Sequence, residues 1–439
     1  MVAAARASAS ATLLLEEPYG KLGFFTATGH AAVYLSDVCA DTPTVLRRCH
    51  PGETGIVLSR YDGVGSYDWL AIPLIPYLYA VDRPEDVPLF ADAKMVAFLR
   101  DQYRRKYLES IVPDSASGEA PAGNWVQLVG SSYDRTIYGL EIATTPERDD
   151  ALIGWLNDAP NRSHFHLLTH NCADFAKAIL NFYYPKALHR SVIADAGITT
   201  PKQMAKMLVK LEARHSELES SRFVIAQVPG SLPRSSPVHG VVESFLKSKK
   251  YIVPSAVVSP IFAGCVFAVY VGTGAGRFEP DHDALVLNPD GALESPLSKT
   301  DRKIYRRQLN SLLAEWDPLG QGLNAAKLWE KLQSRAQLSL DSQGEPFLQL
   351  AFDGKLLRVG ASTGKVVEAS DGPPLARELL AARLDSELRH APPRGLSPSA
   401  VARDWDLLQQ AQRSVQEQYF QLRAAALVPA ERNAFATGP

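Results

Sequence analysis

The sequence predicts an α+β chain, and three observations carry that prediction. Short runs rich in β-branched and aliphatic residues recur between residues 12 and 228, at strand length. Between them stand stretches with apolar residues at three- and four-residue spacing, several opened by a capping residue. At the centre lies HFHLLTHNCADFAKAIL, residues 164–180, where a short strand turns at His170-Asn171 into a helix.

In chain order, residues 12–17 read as a strand and 18–20 as a turn. Residues 29–35 form a strand of small and β-branched residues with His30 at its start. A loop over 36–53 holds Cys39 and Cys49, and 54–61 is the partner strand. The run DWLAIPLIPYLYAV, residues 68–81, is broken by Pro73 and Pro76, which argues for a packed wall rather than a helix. Residues 90–107 form an amphipathic helix ending in a solvated basic cluster, Arg104-Arg105-Lys106. Strands follow at 125–129 and 137–143; then Thr145 caps a helix over 147–156 with Pro146 at its first position.

In the central stretch, 164–169 is a strand and 173–180 a helix with Phe175, Ala176, Ile179 and Leu180 on one side. Asn171 is its N-cap, with Asp174 placed to return a bond to the cap. Cys172 then takes the first helical position. There the unpaired amides and the dipole push a thiol toward thiolate.

Beyond residue 185 the character changes. A helix over 200–216 and a strand over 223–228 lead to a Pro/Ser linker, 229–237. Residues 251–272 carry no charge over a length that suits a bilayer's hydrocarbon core; a buried core segment is the alternative. The lysines before it would hold the preceding residues on the cytoplasmic side, whereas export of the thiol unit demands the opposite. The last part reads as a separate α+β module: helices at 298–316, 324–335, 375–388 and 397–424, and strands at 337–340, 347–352 and 356–359. Asp404 and Asp406 there favour a helix start. The glycine-rich run 272–276 follows no strand, which excludes a nucleotide loop.

The 439 residues are 46% hydrophobic and 21% charged, as in ordinary globular chains. A net charge of -2 without long basic runs gives no case for a nucleic-acid partner. Cys39 and Cys49 are spaced to close a short loop, which would suit an oxidising compartment; two reduced thiols are the alternative. The opening MVAAARASASA ends like a secretory signal but has no apolar core before it.

The order of Gly29-His30 before a strand, Thr145-Pro146-Glu147 opening a helix, and Asn171-Cys172 opening another resembles the circularly permuted papain-like thiol enzymes. These include NlpC-type, lecithin retinol acyltransferase-like and PPPDE proteins. The segment 137–142 with Asn171-Cys172 looks most like an uncharacterised bacterial envelope family within that group. The resemblance covers residues 12–190 and implies an antiparallel sheet with a cysteine-bearing helix. It implies Cys172 as nucleophile and His30 as base, with the Cys172 amide in an oxyanion hole. A third polar group should orient His30; Ser59, Tyr61 and His50 are the candidates, Ser59 and Tyr61 preferred. Asn171 serves as cap or orienter, and Tyr34, on the His30 face, as core.

The expected organisation is a thiol domain over 12–190, a helix and linker over 191–237, an apolar, membrane-associated segment over 238–280 and a mixed module over 281–439. The expected function is a cysteine hydrolase or acyltransferase of the cell envelope, periplasmic or inner-membrane-associated, acting on peptide, peptidoglycan or acyl-lipid bonds. No cofactor or metal is called for. A non-catalytic envelope scaffold is one alternative. A metal module using His164, His166, His170 and Cys172 is another, though their spacing fits no zinc pattern.

Overall fold

The computed structural model describes residues 9–20, 28–162, 165–215, 219–274, 277–316, 325–352, 355–363, 366–367 and 372–427. Residues 1–8 of the leader-like stretch, His164, Ser216 and the 353–354 turn lie outside these. The fold is mixed α+β. Strand β1 (Ser10–Glu16) contains three successive leucines, all fully buried, because both of its faces are covered. It pairs antiparallel with β2 (His30–Leu35), with Glu16 opposite His30.

Residues 36–53, expected as a loop, contain a hairpin: β3 (Val38–Thr42) and β4 (Val45–Arg48), closed by a Cys39–Cys49 disulfide. Alternation over so few residues is too weak to separate such a hairpin from a loop. Replacing both cysteines by alanine should cost about 2–3 kcal/mol of stability in denaturant unfolding, the chain-entropy expectation for a loop this short.

β5 (Ile56–Ser59) and β6 (Leu70–Pro73) extend the sheet beyond β2, and α1 (Leu74–Tyr79) follows directly. The expected wall over 68–81 is therefore a strand and a short helix, with Pro73 at the junction and Pro76 in the first turn, where no amide bond is lost. Helix α2 (Ala93–Tyr103), capped by Asp92, runs into a π-turn over Arg104–Leu108. Arg104 departs from the expected solvated cluster: its side chain is buried and pairs with Asp101 and Asp114 at 2.6 and 2.5 Å. Residues 125–129, expected as a strand, hold a 3-10 turn over Asn124–Gln127, with Trp125 Nε1 donating to the Pro121 carbonyl at 2.6 Å.

After α3 (Ser131–Asp134), β7 (Ile137–Ala143) takes the other side of β1. Helix α4 (Pro146–Asp158) starts as predicted, with Thr145 as cap and Pro146 at the first position. Of the expected strand over 164–169, the described residues 165–169 form instead a turn closed by one His166–His170 bridge, since among the described residues no neighbouring strand lies along it. Helices α5 (Cys172–Tyr183), α6 (Val192–Asp195) and α7 (Pro201–Glu212) precede β8 (Ser220–Ile225), which pairs with β7.

The chain then leaves the sheet through α8 (Val241–Lys247), α9 (Lys249–Val258) and α10 (Pro260–Gly272). It returns as β9 (Leu285–Leu287), parallel to β8, with β10 (Leu293–Glu294) at the edge. The sheet order is β10-β9-β8-β7-β1-β2-β5-β6, so the expected antiparallel sheet is a mixed one. The helical excursion is what permits the parallel return, which a tight turn cannot make.

The remaining chain forms α11 (Lys299–Trp316), α12 (Ala325–Arg335), a meander of β11 (Gln337–Leu340), β12 (Pro346–Phe352), β13 (Lys355–Gly360) and β14 (Val366–Val367), then α13 (Gly372–His390) and α14 (Pro398–Leu427). Its apolar side chains join one sheet face: Leu14, Ala32, Tyr77 and Met95 share a core with Leu379, Leu384 and Leu408. Buried Asp404 pairs with Arg383 rather than merely decorating a helix start. The expected Pro/Ser linker is packed, with Gly230 bridging Ala91 and Arg234 donating to Ser386 Oγ at 2.8 Å. The opposite face packs Leu13, Leu15, Ala31 and Val33 against Ala173, Phe175, Ala176 and Ile179 of α5.

Candidate active site

Local sequence fixes the start of α5. Asn171 has extended backbone geometry and its Oδ1 accepts from the Asp174 amide at 2.9 Å, while Asp174 Oδ2 accepts from the Asn171 amide at 3.4 Å. Asn171 Nδ2 also donates to the Leu167 and Thr199 carbonyls, at 2.8 and 3.2 Å. Arg60 braces the turn from β5's end, donating to the Asn171 carbonyl and pairing with Asp68 at 2.6 Å. Cys172 thus opens the helix from a turn held on several sides, as the sequence predicts.

Cys172 and His30 line the same cavity of about 270 Å³, together with Gly29, Arg60, Tyr61 and Val241. No hydrogen bond joins the two side chains among the described residues. Strand alternation accounts for this: Ala31 packs with Ala173 on the α5 face, so His30 points to the other face. Cys172 is half-buried, and its sulfur accepts from the Ala31 and Ala173 amides. Burial outweighs those bonds and pushes the thiol up to about 11. The expected shift toward thiolate is therefore reversed: desolvation exceeds what the helix terminus supplies.

His30 sits beside a fully buried polar network. Tyr61 stacks on its ring, centroids 4.2 Å apart, and does not offer it a hydrogen bond. The Tyr61 hydroxyl lies 3.4 Å from that of Tyr77, which donates to Glu16. Glu16 also accepts from Ser131 at 3.2 Å and pairs with Arg135 at 2.9 Å. Burial raises the Glu16 carboxyl, with Arg135 pulling against it. Sequence reasoning missed this acid and its partner. The available signal was a glutamate two positions after Leu14, on the same inward face of a strand.

Of the other candidates, Ser59 is buried and its Oγ has no partner among the described residues, so it does not orient His30. His50 is exposed in the loop after β4, its amide donating to Glu53. Tyr34 is core, its hydroxyl donating to the Thr54 carbonyl at 2.7 Å. His166 and His170 turn to Thr169 at 2.9 Å and Asp68 at 3.2 Å. Among the described residues they form no ligand group with Cys172, and the one acid–sulfur cluster uses disulfide sulfurs, which lack the thiolate a metal needs.

Burial, reinforced by the Arg135 charge, drives the His30 imidazole well below its usual value, and its Nε2 has no partner among the described residues. A histidine depressed in the folded state takes up its proton more readily when unfolded. Its stabilising contribution is complete above the unfolded value of about 6.5 and is lost as pH falls below it. We expect the His30 ring proton signal in NMR to stay in the neutral position as pH is lowered from about 8 through the usual imidazole value of about 6.5. Movement to the charged position within that range would contradict the burial described here.

Compared with known protein families, curated proteins and solved structures, the chain matches none.

Proposed function

We propose that this protein is a papain-like thiol hydrolase or acyltransferase in which Cys172 attacks an acyl or amide carbonyl. The observation that carries the reading is the meeting of Cys172, on a doubly capped helix start, with His30 at one cavity, the histidine's Nε2 left unpartnered. In the first step the Cys172 sulfur bonds to the carbonyl carbon while its proton passes to His30 through water in the cavity that both residues line. The amide at the helix start stabilises the developing oxyanion. Collapse breaks the bond to the leaving amine or alcohol, which takes the proton from His30. Water or an acceptor nucleophile then resolves the thioester. Peptide, peptidoglycan and acyl-lipid substrates all suit this step, in a cell-envelope setting.

A second reading, a binding or scaffold protein on the same frame, is favoured by the neutral thiol and the missing Cys172–His30 hydrogen bond. The two part in one experiment. After incubation with activated acyl esters at pH 7.5, intact mass should show an acyl adduct that disappears in Cys172→Ser. Adduct formation should slow about 10²-fold or more in His30→Ala, the usual worth of a general base. An adduct confined to exposed Cys265, or indifferent to His30, would favour the scaffold.

A further inference from the structure

Helices α9 and α10 hold the uncharged stretch, and they do not form the single span that its length suggests. The chain breaks at Ser259-Pro260, where Ser259 ends one helix and caps the next. No helix among the described residues is long and apolar enough to cross a membrane. The 13 residues of α10 reach only about 20 Å at the α-helical rise, short of a hydrocarbon core of about 30 Å. Yet no residue of either helix is buried. Val257, Val258 and Ile261 are 78%, 85% and 82% exposed, and Phe262, Phe267 and Val271 are exposed beside them.

This surface is continuous with its surroundings. α10 packs on α8 and α6, Phe262 meets Phe245 edge-on with centroids 6.0 Å apart, and α6 adds exposed Val192 and Ile193. Isolated exposed apolar residues need no explanation, but an apolar helix pair with no buried residue and a run of exposed valines, isoleucine and phenylalanines does. Charge narrows the occupant. From residue 244 to 278 every charged residue is basic: Lys247, Lys249, Lys250 and Arg277. Lys247 is spent on Glu243 at 2.8 Å, while Lys249 and Lys250 stand exposed at the foot of α9.

We infer that α9 and α10 are an interfacial docking element that lays its apolar side chains into an anionic phospholipid bilayer, with Lys249 and Lys250 against the headgroup phosphates. The element enters and leaves the bilayer from one side, so the conflict between the lysines and export of the thiol unit disappears. A second copy of this chain fits less well, because a twofold contact would bring like-charged lysine clusters together. α8 links the element to the thiol cavity, whose lining includes Val241 at that helix's start. Docking would set the cavity mouth near the membrane surface. The inference stands on exposure and charge and does not depend on Cys172 chemistry.

The test is flotation of the full chain with phosphatidylcholine vesicles, with and without phosphatidylglycerol, at low and high salt. Expected is flotation with the anionic vesicles. Val257→Asp with Phe267→Asp, both at exposed positions, should weaken partitioning at least about tenfold. Lys249→Gln with Lys250→Gln should reduce the anionic preference by about tenfold or more, from a surface term of about 1 kcal/mol per lysine. An environment-sensitive dye on Cys265, exposed on α10, should shift to the blue only with vesicles. Failure to float, or a concentration-dependent dimer that Val257→Asp dissolves, overturns the inference. Acyl labelling of Cys172 in the same variants reads the thiol proposal separately.

Discussion

Replacing Arg135 with methionine is expected to destabilise the fold by about 3–5 kcal/mol, measured by urea unfolding at pH 7. The guanidinium is buried against the fully buried Glu16 carboxylate, at 2.9 Å. Burial opposes its charge, but Glu16 and the ring of tyrosines outweigh that and hold its pKa above the ordinary arginine value. Arg135 also stacks over Tyr19, its guanidinium carbon 4.4 Å from the ring centroid. Without it, Glu16 is an uncompensated buried charge. Its folded pKa, already raised, rises further, so stability is retained below the unfolded value near 4.5 and lost as pH climbs through the folded one. The deficit should therefore shrink in acid. Glu16→Leu added to Arg135→Met should recover most of the loss; a fully additive double variant would disprove the coupling.

Gly29→Ala should cost about 3 kcal/mol or more. Gly29 has φ +72°, and a Cβ there would stand 2.1 Å from the Glu16 carbonyl oxygen. The left-handed backbone alone costs a residue with a side chain about 1–2 kcal/mol. The overlap is with main chain, so β1 and the start of β2 must separate. Since β2 begins at His30, the displacement reaches the imidazole directly. The variant should lose both unfolding free energy and any His30-dependent labelling of Cys172. Unchanged stability would mean that the β1–β2 approach is looser than described.

The parts of the site written in short-range patterns were legible in sequence. Asn171, Cys172 and Asp174 form a local motif whose two capping bonds close within three residues, and Thr145-Pro146 is another. His30 at a strand start was legible for the same reason. The Glu16–Arg135–Tyr77 network was not, because its members come from β1, the loop before β7, and α1, and only the sheet order brings them together. The thiol's direction of shift was misread because the helix terminus is visible in sequence, whereas the burial that outweighs it is not. Arg104 likewise looks like a solvated helix end until Asp114 is folded onto it. The parallel β8–β9 pair was hidden behind the long excursion between its strands, which local alternation does not register.

The placement of β1 carries a consequence for how the chain acquires its shape. Its neighbours are β2 and β7, and its last residue, Glu16, lies opposite Ile137. During synthesis the first strand therefore waits, half-paired, until β7 has left the ribosome, and contacts of such separation slow folding. Until then the backbone edge that β7 will pair stands open and the three leucines are uncovered on both faces of the strand, the period in which a chaperone would matter most.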